Sequence, residues 1–318
     1  MRSPRISFAL VGGAAIVTLA LAGCATPGVS AADDGRLSIV ASTSVYGDIA
    51  QQIVGDLGDV KSLVTNAAQD PHSYEASAQD QLALSRADLV IQNGGGYDPF
   101  IDTLLGDDTT VRVVDASEAS GLIADRATDH AEGDPTGEES PDHIEGFNEH
   151  VWYSLEGVEK VADAITDELS ALDAPNTSTY RQNYVEFAAA LTTLRERVQG
   201  LELRTAGLTA AITEPVPPYL LADAGFANAT PEAFSEAIEE GTDVAPTVLQ
   251  ETLALFDSGS VALLAYNAQT ASPETERVRE AAEAAGVPVI DFTETLPDGV
   301  DYLGWMTANV DAIESATN

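Results

Sequence analysis

STYRQNYVEFAAALTTLRERVQG, residues 178–200, is the stretch whose reading decides the fold. Tyr180, Tyr184, Phe187, Leu191, Leu194, Val198 and Leu201 recur at alternating steps of four and three. That spacing predicts one apolar stripe along a long amphipathic helix. Pro175 with Asn176, Thr177 and Ser178 offers a breaker and capping oxygens at its start, and Gly200 and Gly207 bracket the expected exit. An ordinary core helix within a single domain would carry the same stripe. The flanks favour a connecting rod, because a similar run of short apolar strands and helices lies on each side. Each side also holds a pair of residues able to ligate a metal: His72 and His150 before the stretch, Glu214 and Glu294 after it. The expected architecture is therefore α/β, with two lobes of parallel sheet joined by one long helix and a metal site in the cleft between them.

The chain has 318 residues, enough for two ordinary domains, and 14 basic against 52 acidic residues give a net charge of −38. Such a surface excludes nucleic acid as a partner, because nothing would neutralise the phosphates. Adaptation to salt or to a high-GC genome accounts for most of these carboxylates.

The N-terminus reads as a targeting segment. Arg2 and Arg5 precede an apolar run from Ile6 to Leu21, which ends at Leu21-Ala22-Gly23-Cys24. Thr26, Pro27 and Gly28 follow, where a spanning helix would need further apolar residues and an anchoring charge. The four residues match the bacterial lipobox, which predicts cleavage after Gly23 and a lipid on Cys24; a stray cysteine in a secretory signal is the alternative. Cys24 is the one cysteine of the chain, so no disulfide framework exists. The expected layout is a signal peptide over 1–23, a tether over 24–36, a first lobe over 37–175, the linking helix over 176–202 and a second lobe over 203–318.

In the first lobe, strands are expected at Leu37–Ala41, Val60–Val64, Leu89–Ile91 and Val111–Val114, with a helix from about Val45 to Leu57. Helices alternating with strands predict a parallel sheet, whose binding residues gather on loops at the strands' carboxyl ends. His72 lies in such a loop, Asp70-Pro71-His72, as a ligand or as a surface histidine. Residues 125–149 are rich in Asp, Glu, Gly and Pro, with His130 and His143, and read as a solvated loop. It ends at His150-Val151-Trp152, after which Ser154 caps a helix. In the second lobe, Leu208–Thr213 runs into Glu214-Pro215-Val216-Pro217-Pro218. Glu214 is placed there either as a ligand or as an acid at a helix N-terminus. Strands at Val261–Tyr266 and Val287–Phe292 follow, with Glu294 just past the second.

These motifs, in this order, resemble the metal-binding solute-binding lipoproteins of zinc/manganese ABC importers, the cluster A-I family. The likeness covers essentially the whole mature chain. It rests on Asp70-Pro71-His72, on His150-Val151-Trp152 after a polar insert, and on the long helix. Glu214 five residues before Tyr219 belongs to it, as does Thr293-Glu294-Thr295-Leu296 with Tyr302 and Trp305-Met306. The resemblance implies a receptor that binds manganese or zinc as cargo and passes it to an importer permease. It also implies a monomer held by Cys24 at the extracytoplasmic face of the cell membrane. His72 and His150 match the family's two first-lobe histidines. Glu214 matches a position that is His in many zinc-type members and Glu in manganese-type ones. Glu294 stands where Asp is usual. Two imidazoles and two carboxylates without thiolate suit manganese, iron or zinc. Two other classes share such residues: a metallohydrolase, in which Glu149 would be the base, and a surface adhesin or metal-storage lipoprotein.

Overall fold

The computed structural model describes residues 35–66, 71–72, 74–106, 110–123, 144 and 146–317. The expected signal peptide and Cys24, together with Asp70, His130 and His143, lie outside these residues.

The first sheet has the order β2-β1-β3-β4 (β1 Leu37–Thr43, β2 Gly58–Val64, β3 Leu89–Gln92, β4 Arg112–Asp115). The second has the order β6-β5-β7-β8 (β5 Thr209–Ile212, β6 Ala227–Asn228, β7 Val261–Asn267, β8 Val289–Phe292). All pairings are parallel. The two lobes therefore repeat one topology, as their apolar runs led us to expect. β6 had no counterpart in the sequence reading, because both its residues are exposed and it carries no apolar run.

Parallel strands are covered on both faces, and alternation decides which core each side chain joins. In β1, Ile39 and Ala41 enter the central core while Val40 joins an outer cluster with Val64, Val90 and Ile101. In β7, Leu263 and Ala265 face the centre while Leu264 and Tyr266 pack outward with Phe234 and Val278. The central core is continuous across both lobes, and Arg36–Asn318 form one compact unit.

The helices in chain order are α1 Ser44–Val54, α2 Ala78–Leu84, α3 Phe100–Leu105, α4 Ala116–Ser120, α5 Leu155–Leu172 and α6 Thr177–Thr205. After these come α7 Pro218–Asp223, α8 Glu232–Glu239, α9 Pro246–Asp257, α10 Pro273–Ala284 and α11 Tyr302–Ala316. α1 stops three residues short of the expected end, at Gly55 with φ +58°. α6 is the expected rod, 29 residues or about 44 Å long. Its stripe of Tyr180, Phe187, Leu191, Leu194, Val198 and Leu201 is buried in the central core.

The rod ends between the two bracketing glycines, three residues past the expected bound of 202: Thr205 continues the buried stripe, and the chain turns out at Gly207 with φ +89°. One detail of its start differs from expectation. Asn176 makes no side-chain cap; its amide donates instead to Asp173 Oδ2 at 2.7 Å. No helix among the described residues is long and apolar enough to cross a membrane.

The Gly94-Gly95-Gly96 turn after β3 is held by Asp98, a buried carboxylate that accepts from the backbone N–H of Asn93 at 2.6 Å and Gly94 at 2.8 Å. Gly95, at φ +64°, sits where a Cβ would stand 2.6 Å from Phe147 and 2.7 Å from Ser117 Oγ. Burial pushes the Asp98 carboxyl up from 3.8 to about 6, against the pull of those amides. Below pH 3.8 the group is neutral in folded and unfolded chains alike. As pH rises towards 6 the unfolded chain ionises first, so stability falls, and above pH 6 the penalty is constant at about 3 kcal/mol. Asp98→Asn removes this pH dependence. Unfolding in chelator at pH 4, 5 and 7 should show the variant gaining on wild type by about 2 kcal/mol between the ends of the series. A difference that stays flat with pH would rule out titration of Asp98 in that range.

Candidate metal centre

The carboxyl ends of five strands converge on one place. The loop after β2 carries Pro71 and His72, and the turn after β3 carries Asn93 and Tyr97. β5 runs into Thr213 and Glu214, β7 ends at Asn267, and Glu294 follows β8. His150 enters at the head of a 3-10 turn, Val151–Tyr153, whose three side chains are fully buried. These apolar anchors fix the backbone on which the imidazole stands.

Donor atoms of His72, His150 and Glu294 all lie within 4.8 Å of one another. Nδ1 of His150 lies 2.8 Å from Asn148 Oδ1, which assigns the ring proton to Nδ1 and leaves Nε2 with its lone pair. That Nε2 is 4.0 Å from Glu294 Oε2. An ion bonded tetrahedrally to both at ordinary lengths would need a separation of about 3.4 Å, so a small closure would seat it. Glu294 is placed from both lobes: Tyr97 donates to its Oε2 at 3.1 Å, and Asn267 Nδ2 to its Oε1 at 2.8 Å. Burial, then the charge of Glu294, holds the Tyr97 phenol well above its usual value, so it remains a donor.

Glu214 stands beside this triad rather than in it. Its Oε2 accepts from the same Asn267 amide and from Thr270 Oγ1, so one asparagine clamps both carboxylates. Glu149, Glu214, Glu294 and His150 are each no more than 3 % exposed. Beneath them lies an aromatic floor: Tyr97 meets His72 edge-on at 4.7 Å, and Trp152 meets His150 at 5.2 Å and Tyr97 at 4.8 Å. A mixed set of imidazole and carboxylate donors in a water-poor cleft is suited to a divalent first-row ion, and burial of the acids is tolerable once its charge is present.

Sequence reasoning missed Tyr97, Asn148, Asn267 and Glu239 as parts of this centre. Asn267 had a usable signal, since it ends a strand. Asn148 and Tyr97 had none beyond nearness to a motif. Glu239 belongs to an amphipathic helix with acids also at 232 and 236 and another just past its end at 240, and only the packing shows which one turns inward.

The profile of the family described as "Zinc-uptake complex component A periplasmic" matches residues 39–316. The manganese-binding lipoprotein MntA of Halalkalibacterium halodurans is 28% identical over 183 residues, covering 57% of this chain and 55% of that protein. The manganese ABC transporter substrate-binding lipoprotein PsaA of Streptococcus mitis is 31% identical over 181 residues, 54% of each. The matched segment thus spans about half the length of these curated relatives. The periplasmic zinc-binding protein TroA of Treponema pallidum superposes with a TM-score of 0.67 at 22% identity, covering 89% of this chain and 99% of that one, a likeness of fold. The family match runs through both sheets, the rod and all four expected ligand positions, and the chain belongs to the periplasmic zinc-uptake component A family.

Proposed function

We propose that this chain is the extracytoplasmic receptor of an ABC importer, binding manganese or zinc as cargo and presenting it to the permease. His72, His150, Glu214 and Glu294 are its ligands, and Cys24 is its lipid anchor. The observation that carries the reading is the meeting of His72 and His150 from the first lobe with Glu294 from the second, donor atoms within 4.8 Å. The relatives MntA and PsaA are named as a manganese-binding lipoprotein and a manganese ABC transporter substrate-binding lipoprotein, which supports the cargo and the anchor alike. Donors drawn from both lobes favour a receptor over a hydrolase: ligation there couples metal to lobe closure, whereas catalysis needs an open position for water.

Since an unfolded chain cannot assemble ligands so far apart in sequence, metal should stabilise the fold. At a thousandfold excess over Kd the gain is about 4 kcal/mol. Melting with manganese or zinc, against the same protein in chelator, should show this shift in wild type and lose most of it in His72→Ala. A shift that survives the substitution would remove His72 from the site.

Glu214→His tests the metal preference. It replaces a charged, harder oxygen donor by a neutral nitrogen, so manganese affinity should fall about tenfold more than zinc affinity. Competition against a chelator reads the ratio. An unchanged ratio would place Glu214 outside the ligand set.

For the anchor, Cys24→Ser should move the protein from the membrane pellet to the soluble fraction when expressed with its natural leader. Retention on membranes after mild salt washing would sink that assignment.

A further inference from the structure

Glu239, the last residue of α8, lies where neither the motifs nor the four expected ligands place an acid. Its Oε1 is shielded from solvent with no hydrogen-bond partner, and the His150 Nδ1 that faces it stands 3.9 Å away. That nitrogen already serves Asn148. An acid so placed is costly unless a cation joins it.

The donor atoms of His72, Glu149 and Glu239 lie within 4.8 Å of one another, as do those of His72, His150 and Glu294. The two triads share His72. They differ in depth at one member: the Glu239 side chain is 14% exposed, against 3% for Glu294 and 1% for His150, while Glu149 is as buried as Glu294. They differ in hardness too, with one nitrogen and two carboxylates in the outer triad against two nitrogens and one carboxylate in the inner. We propose that His72, Glu149 and Glu239 form a second cation position, which a divalent ion occupies in passing between solvent and the inner position. Because His72 serves both, one ion moves between them rather than two binding together. This inference rests on the reading that the cleft binds a divalent metal. A way-station of this kind lowers the barrier to entry and to exit alike and leaves the final affinity nearly unchanged.

Stopped-flow mixing of the full chain with manganese alone, and separately with zinc alone, tests it, with Trp152 fluorescence as the signal because its ring lies 5.2 Å from His150. Glu239→Gln keeps the shape and removes the anionic donor. It should slow both association and chelator-driven release about tenfold while Kd stays within about threefold. Glu236→Gln removes the same charge from an exposed position on the same helix and controls for electrostatic steering, as does repetition at high salt. Its rates should match wild type. Unchanged rates in Glu239→Gln would overturn the proposal, as would equal slowing in Glu236→Gln. A tenfold loss of affinity with normal association would overturn it too, by making Glu239 a ligand of the inner position. Should Glu239→Gln not fold by circular dichroism, Glu149→Gln is read in the same way. If wild type retains neither metal by elemental analysis, the receptor reading itself fails, which is a different result from altered rates in a protein that binds.

Discussion

Carboxylates crowded into a dry cleft beside two imidazoles are the constraint on which the rest of this structure depends. Glu149, Glu214, Glu239 and Glu294 come together in a chain that already carries a net charge of −38. Burial first, then mutual repulsion, disfavours ionisation, which holds the Glu239 carboxyl above its ordinary value while no ion is bound. A divalent ion reverses both penalties at once. Metal binding and the integrity of the cleft are therefore one electrostatic problem, and the surface acidity that keeps the protein soluble also concentrates cations near its mouth.

The cleft persists because it is fastened from both sides by neutral donors. Tyr97 reaches Glu294 across the lobes, Tyr153 donates to Thr293 O at 2.8 Å, and Tyr302 donates to Trp152 O at 2.7 Å. Asn148 spans the gap as well: its Nδ2 donates to Pro215 O at 2.8 Å, and its carbonyl accepts from Tyr219 at 2.8 Å. One asparagine thus sets the tautomer of His150 and ties it to the segment that carries Glu214. Fastening the lobes by phenols and amides leaves the local charge to the carboxylates of the cleft.

Beneath these fasteners, α6 gives the lobes a common core. Its buried stripe belongs to one core with residues of both sheets, so the two lobes share apolar surface through it. Lobes joined in this way resist wide separation, and small displacements of loops at the strand ends suffice to close the 4.0 Å gap between His150 and Glu294.

The repeating steps from Tyr180 to Leu201 and the short apolar runs on either side were enough to determine the rod, the two lobes and the parallel sheets, because burial of a helix stripe or a two-faced strand writes its period into the chain. The positions of His72, His150 and Glu294 were legible for a related reason: strand ends, prolines and an aromatic anchor mark where loops must hold still. The last turn of the helix was not legible within the bracket of Gly200 and Gly207, since Thr205 joins the stripe only through its burial. Nor was β6, a two-residue strand without an apolar run. Tertiary structure alone decided which of the three acids in α8 faces the cleft, which nitrogen of His150 carries the proton, and that Asn267 clamps Glu214 and Glu294 together. Those facts depend on side chains distant in sequence meeting at one point, and pairwise distance leaves no period in a sequence to read.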